Sequence, residues 1–139
     1  MPLRLCASVL ILTSVTPRAS LVGLRVLVVE DDDGIRRPLV RFLARQGAHV
    51  EVARDGEEAL AKLETKTPDV ILADLRMPRM GGAELYARLQ GTRPALAARV
   101  LFLSGDITEL AQLSKVAPER ALAKPVDLGE LERRLLEFV

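Results

Sequence analysis

Residues 70–82 read VILADLRMPRMGG. Four apolar residues that suit a buried strand run directly into Asp74, and a Met-Pro pair and a Gly-Gly pair then interrupt the chain. A carboxylate at the end of so apolar a strand is a helix cap, a partner for a cation or a reacting group. The rest of the sequence has to decide among these three interpretations.

Short apolar runs recur from residue 25 onward, and helical patterns separate them. The first, third and fourth runs are continuously apolar, as in strands buried on both faces of a parallel sheet, whereas the second alternates and suits a sheet edge. Five strands alternating with five helices predict an α/β fold, the flavodoxin-like (βα)5 doubly wound sandwich, with a parallel five-stranded sheet of order 2-1-3-4-5. The predicted strands are 25–29, 49–53, 69–73, 99–103 and 121–123.

The helices are predicted from apolar residues spaced three or four apart and from capping residues. The third begins just after Gly82. The fourth, over 107–113, is expected to be short or irregular because Pro118 follows closely. The expected N-caps are Asp32 or Asp33, then Asp55 with Glu58 in a capping box, and finally Asp127 with Glu130.

Composition limits the function classes. The 139 residues form one ordinary domain, and 49% of them are hydrophobic. The 20 basic and 19 acidic residues nearly cancel and only 3% are aromatic, so direct nucleic-acid binding is not expected. With one cysteine (Cys6) and one histidine (His49), no internal disulfide or zinc site is expected. A reduced, cytoplasmic compartment is the default.

Residues 1–22 differ from the rest and are set apart from a domain over 23–139. Their apolar run, 9–12, is too short to span a membrane, so no membrane association is expected. Arg4 and the following apolar stretch loosely imitate a secretory signal, but polar residues interrupt it. A tail, an over-extended start and a linker remnant stay open as alternatives.

Acidic residues gather at one edge of the predicted sheet. Strands 1 and 3 are neighbours, so Glu30 and Asp31 should converge with Asp74. Three carboxylates so close require protons or a cation, and oxygen ligands favour Mg²⁺ or Mn²⁺. Ser104 and Lys124 end the fourth and fifth strands at the same edge. A carboxylate nucleophile with a metal, a hydroxyl and a cation around it is equipped to accept a phosphoryl group.

Four stretches at the predicted strand ends are VLVVEDD, VILADLRMPRMGG, LFLSGD and ALAKPVD. In order and spacing they resemble the receiver domain of two-component response regulators, the CheY-like superfamily. The resemblance covers about residues 24–138. It implies that Asp74 takes phosphate from a sensor histidine kinase or phosphotransfer protein and passes the signal to a downstream protein that the sequence does not identify. It further implies a phosphoacceptor and not an enzyme, reacting only by autophosphorylation from small donors and autodephosphorylation.

The resemblance also assigns roles at the site. Mg²⁺ would be held by Glu30, Asp31, Asp74 and the backbone carbonyl of Arg76. Ser104 would be the switch hydroxyl and Lys124 the lysine beside the phosphoryl group, with a cis bond before Pro125. Arg76 and Asp106 would flank the mouth of the site, form an ion pair and tune the lifetime of the phosphoryl group.

One departure from the family pattern concerns output. Ala121 stands where the family usually carries an aromatic switch residue, so coupled motion of Ser104 and an aromatic ring is not expected. The change falls on the face formed by the fourth predicted helix, the fifth strand and the last helix, where a conformational change and a homodimer contact are expected.

Three alternative functions fit the sequence less well. An aspartyl-phosphate phosphohydrolase would need a second acid at Arg76, two residues after Asp74. An FMN carrier would need a phosphate loop where Glu30 and the following acids stand. An unphosphorylated interaction module would leave the acids, Ser104 and Lys124 without a purpose. Because the chain ends just after the last helix, we expect either a stand-alone receiver or one cut from a larger protein such as a hybrid histidine kinase.

Overall fold

The computed structural model describes residues 20–106, 108, 109, 111 and 120–139. Within that part of the chain, the strands are β1 (Arg25–Val29), β2 (His49–Ala53), β3 (Val70–Asp74), β4 (Val100–Ser104) and β5 (Ala121–Ala123). The helices are α1 (Asp33–Arg45), α2 (Gly56–Leu63), α3 (Gly82–Thr92), α4 (Pro94–Ala97) and α5 (Leu128–Leu136).

The five strands form one parallel sheet with the order β2-β1-β3-β4-β5. This confirms the predicted fold class and strand order. β3 and β4 each lie one residue later than predicted, so Asp74 and Ser104 are the last residues of their strands. β2 is an edge strand, and its alternating burial agrees with its alternating sequence.

The core has two halves, one on each face of the sheet. Side chains alternate between them along each central strand: Leu27 and Val29 pack with α2 and α3, whereas Val26 and Val28 pack with α1 and α5. β3 and β4 are buried along their whole length. The carboxyl ends of these strands are therefore held rigidly at one edge of the sheet.

The helices begin where the capping residues predict. Asp32 caps α1 by accepting from the Gly34 N–H at 2.7 Å, and Asp55 caps α2 by accepting from the Glu58 N–H at 2.9 Å. Asp127 caps α5 in the same way, accepting from two backbone N–H groups. α4 was not predicted, because four residues are too few to show a helical period; it opens on Pro94, a residue suited to that position.

Two predictions fall on parts of the chain that are not covered. Residues 1–19, most of the predicted fourth helix and Pro118, which follows it, lie outside the described residues, although Thr108, Glu109 and Ala111 are helical. Leu21, inside the segment set apart as 1–22, is fully buried in the core, and its N–H donates to the Gln46 carbonyl. No helix among the described residues is long and apolar enough to cross a membrane.

Candidate phosphoacceptor and metal site

The predicted site residues meet at the carboxyl edge of the sheet. Asp74 ends β3, Ser104 ends β4, Glu30 follows β1, and Lys124 follows β5. Because β1 and β3 are paired in parallel, as are β3 and β4, these positions lie side by side. The topology thus brings together side chains that are far apart in sequence.

The Asp74 carboxylate is almost completely buried and has two hydrogen-bond donors. Lys124 Nζ lies 2.7 Å from Oδ2, and the backbone N–H of Arg76 donates to Oδ1 at 3.2 Å. Asp74 therefore does not act as a helix cap. The ammonium and the backbone amide fix the position of a carboxylate whose oxygens can act as a nucleophile.

Glu30 is the most deeply buried acid of the site, with 1% of its surface exposed. Burial, reinforced by the negative charge of Asp74, raises the pKa of Glu30 to about 7. Its Oε2 accepts from the Asp32 N–H at 3.2 Å, and its Oε1 lies 3.2 Å from Lys124 Nζ. That Oε1 atom accepts no well-aligned hydrogen bond from the part of the chain that the structure describes.

The acids fit a divalent cation. One carboxylate oxygen from each of Glu30, Asp31 and Asp74 lies within 4.8 Å of the others, and Asp31 is open to solvent. The buried Oε1 of Glu30 has an unused acceptor position, which a cation would fill. An all-oxygen set with one solvent-exposed member, leaving room for water, suits Mg²⁺ or Mn²⁺.

Lys124 offsets part of this negative charge. Its ammonium contacts both Asp74 and Glu30. Burial opposes its charge, but the hydrogen bond to Asp74 and the charge of Glu30 prevail and raise the pKa of Lys124. It is therefore a permanent cation at neutral pH. The Lys124–Pro125 peptide bond is cis.

Ser104 and Arg76 converge on a residue that the sequence analysis did not single out. Ser104 Oγ lies 3.2 Å from Oε1 of Glu109, and Arg76 Nε donates to the other oxygen of that carboxylate. Arg76 also forms the expected ion pair with Asp106, at 3.5 Å. Glu109 was detectable in principle, because Asp106 and Glu109 have the spacing of a helix cap and its third residue.

Arg36 is a second missed residue. It lies in α1 and is 6% exposed, which is rare for an arginine. Its guanidinium donates to the backbone carbonyl of Glu30 at 3.0 Å and to the carboxylate of Asp33. It thereby holds the end of β1, where the acids begin. The available signal was its position three residues after Asp33, a spacing that allows an ion pair on a helix.

The loop between β3 and α3 is tied to α2. Arg79 has φ of 70°, an uncommon conformation for a residue with a side chain, and its guanidinium pairs with Asp55. The Met80 carbonyl accepts from the Gly56 N–H at 2.7 Å, and the Met80 side chain is buried. These contacts fix the loop that carries Arg76 past the site.

Near Ala121, the aromatic rings come from elsewhere in the fold. Ala121 pairs with Phe102 across the sheet. The Tyr86 ring, from α3, meets the Phe102 ring edge-on with centroids 5.4 Å apart, and Arg120 lies 5.4 Å above the Tyr86 ring. Aromatic packing beside β5 is therefore supplied by α3 and β4.

A cleft of about 530 Å³ lies away from this site, at the amino-terminal end of β1 and β2. It is lined by apolar as well as charged and polar residues, and none of the candidate site residues contributes to it. Its cationic members include Arg25, Lys62 and Lys66, and the two lysines are paired with Glu51. The chemistry of the carboxyl edge is independent of this cleft.

Comparison with known proteins agrees with this geometry. Residues 26–136 match the family model described as the response regulator receiver domain. The response regulator MprA of Mycobacterium tuberculosis is 36% identical over 114 residues, which cover 82% of this chain and 50% of MprA. The chain thus spans about half of the length of such relatives.

Solved structures show the same likeness. The receiver domain of a Francisella response regulator has a TM-score of 0.73 and 29% identity, covering 84% of this chain and 96% of that chain. The response regulator TrrA of Thermotoga maritima, in complex with Mg(2+)-BeF, has a TM-score of 0.74 and 26% identity, covering 84% and 99%.

Proposed function

Because this chain belongs to the response regulator receiver domain family, we propose that it is the phosphoacceptor switch of a two-component phosphorelay and takes a phosphoryl group from a histidine kinase onto Asp74. The observation that carries the proposal is the pairing of Asp74 Oδ2 with Lys124 Nζ at 2.7 Å, beside the acidic cluster. A nucleophile, a charge-stabilising cation and candidate metal ligands thus occupy one small volume.

The chain's own residues suit the transfer step. A carboxylate oxygen of Asp74 forms a bond to phosphorus while the P–N bond of the phosphohistidine breaks, and the imidazole leaves with the electron pair. Lys124, held as a cation by Asp74 and Glu30, offsets negative charge on the transferring oxygens. Ser104 supplies a hydroxyl donor at the neighbouring strand end.

The metal part of the proposal rests on the acids. Glu30, Asp31, Asp74 and the backbone carbonyl of Arg76 would hold Mg²⁺, or Mn²⁺. Bound there, the ion would neutralise charge on the phosphoryl oxygens. The unused acceptor position of Glu30 Oε1 supports this assignment, as does the likeness to TrrA, whose structure holds Mg(2+)-BeF.

The partners follow from the same chemistry. A phosphohistidine on a sensor kinase or phosphotransfer protein has to approach Asp74 closely, and an apolar groove of about 240 Å³ beside Lys124, between α1 and the start of α5, offers a contact surface for it. We place the chain in the cytoplasm and class it as a phosphoacceptor and not an enzyme. An output surface and a homodimer contact around β5 and α5 stay predictions.

The test uses the whole chain with Mg²⁺ and acetyl phosphate, followed by intact-mass spectrometry. One added phosphoryl group is expected for the wild type and none for Asp74→Asn. Ser20→Ala, far from the site, should be phosphorylated like the wild type. A wild type that gains no phosphoryl group from acetyl phosphate or phosphoramidate, although folded, would show the proposal to be wrong.

A further inference from the structure

Building on the proposed function, we propose that Glu109 is a positioning residue that competes with the phosphoryl group for the Ser104 hydroxyl and for Arg76. The proposal rests on one carboxylate contacting both groups. Glu109 Oε1 lies 3.2 Å from Ser104 Oγ, and Oε2 accepts from Arg76 Nε. Glu109 thus engages the hydroxyl at the end of β4, the strand next to Asp74, and the Arg76 side chain two residues after Asp74.

The competition follows from the chemistry of a hydroxyl. Ser104 Oγ has a single proton to donate, and it already accepts from the Asp106 N–H at 3.1 Å. Its proton can go to Glu109, to the more distant Asp106 carbonyl at 3.4 Å, or to a phosphoryl oxygen. Donation to a phosphoryl oxygen therefore requires that Glu109 lose this hydrogen bond.

Glu109 is not occupied by an ordinary capping role. Asp106 caps the helical residues that follow it, accepting from the Thr108 and Glu109 N–H groups. In a capping box, the third residue would return its carboxylate to the N–H of the cap residue. Here Ser104 Oγ takes the Asp106 N–H, so the carboxylate of Glu109 is left to bind Ser104 and Arg76.

Charge adds to the competition. Most of the Glu109 side chain is buried, with 23% exposed, and it lies against Ser104. A phosphoryl group on Asp74 brings a charge of about −2 to the neighbouring strand end, which disfavours a carboxylate there. Arg76 is 71% exposed and can turn from Glu109 towards the new charge. Phosphorylation should thus displace Glu109 and, with it, the helical residues Thr108 and Ala111.

The test measures binding of beryllofluoride, a phosphoryl analogue, to the whole chain in the presence of Mg²⁺. Glu109→Ala is expected to lower the dissociation constant about fivefold, the size of one hydrogen bond of typical net strength. Glu109→Gln keeps an acceptor but removes the charge, so its effect should be intermediate. The matched control is Glu84→Ala, which removes an exposed carboxylate paired with Arg88 on α3 and should leave binding unchanged.

A double-mutant cycle separates competition from a general structural effect. In a Ser104→Ala background, Glu109→Ala should change the dissociation constant by about twofold or less, because the shared hydrogen bond is already absent. A fivefold effect that persists without Ser104, or no effect of Glu109→Ala at all, would overturn the inference. A wild type that binds no beryllofluoride would instead contradict the proposed function itself.

Discussion

The ammonium of Lys124 lies 2.7 Å from Oδ2 of Asp74, although the two residues are 50 positions apart and belong to the ends of two strands separated by β4. The same ammonium lies 3.2 Å from Glu30 Oε1. One cation therefore serves two buried carboxylates, and the site keeps an excess of negative charge. Because of this excess, we expect both Lys124 and added Mg²⁺ to contribute measurably to the free energy of unfolding.

Replacing Lys124 by alanine should lower the free energy of unfolding of the metal-free protein by about 2 kcal/mol, because two buried carboxylates lose a charged partner. Urea denaturation at neutral pH with a chelator measures this. Lys66→Ala is the matched control: its ammonium pairs with Glu51 at 2.9 Å on the exposed surface, and its loss should cost less than about 0.5 kcal/mol. Equal losses for the two variants would contradict the assigned role of Lys124.

Glu30 should make the stability of the metal-free protein depend on pH. Its pKa is raised from 4.5 to about 7 by burial and by Asp74, so the folded state binds the proton more tightly than the unfolded state. This contribution is fully present below the unfolded pKa and is lost as the pH rises through the folded one, by at most about 3 kcal/mol. Urea titrations across that range should show the decline, and Glu30→Gln should flatten it. A wild-type curve as flat as that of the variant would show the shift to be absent.

Much of this site could be predicted from the sequence because continuous apolar strands end abruptly in polar residues. VILAD and VLFLS each place one polar side chain directly after four apolar residues. In a parallel sheet those ends share an edge, so Asp74 and Ser104 had to be neighbours once the strand order was known. The capping residues were equally readable, since each acts within its own first helical turn.

The contacts of Glu109, Arg36 and Arg79 could not be predicted in the same way. Each depends on how a long side chain crosses from one element to another, which neither periodicity nor spacing encodes. From the sequence, Arg36 is expected on the exposed face of an amphipathic helix, yet it is buried against the Glu30 carbonyl. From the sequence, Arg79 is expected to be an exposed loop residue without a specific partner, yet it adopts positive φ and pairs with Asp55.

Removing Asp31 should abolish the response to Mg²⁺. The ion should raise the melting temperature of the wild type by mass action, because the folded chain gathers the three acids and the unfolded chain does not. Asp31→Asn should melt like the wild type in a chelator, since Asp31 is exposed, but show no shift with Mg²⁺. Asp33→Asn, whose carboxylate pairs with Arg36 and Arg37, is the control that should keep most of the shift. An undiminished shift in Asp31→Asn would remove that residue from the ligand set.

Two glycines of α3 should respond oppositely to alanine, because only one of them touches the site. A Cβ on Gly82 would lie 2.6 Å from the backbone oxygen of Asp74, whereas a Cβ on Gly91 would meet nothing within 4 Å. Gly82→Ala must therefore displace the end of β3 or the start of α3, at a cost of about 1–3 kcal/mol. Gly91→Ala should instead stabilise the protein by up to about 1 kcal/mol, since alanine loses less entropy than glycine in a helix.

Urea denaturation measures both variants, and phosphorylation by acetyl phosphate measures the consequence at Asp74. Gly82→Ala should be phosphorylated more slowly under conditions in which it is still folded, because the backbone that carries the nucleophile has moved relative to Lys124. Gly91→Ala should be phosphorylated at the wild-type rate, since it lies nine residues further along the helix and its added Cβ would meet nothing within 4 Å. The contrary outcome is a Gly82→Ala variant that loses stability but is phosphorylated as fast as Gly91→Ala. The close contact would then matter for folding and not for the position of Asp74.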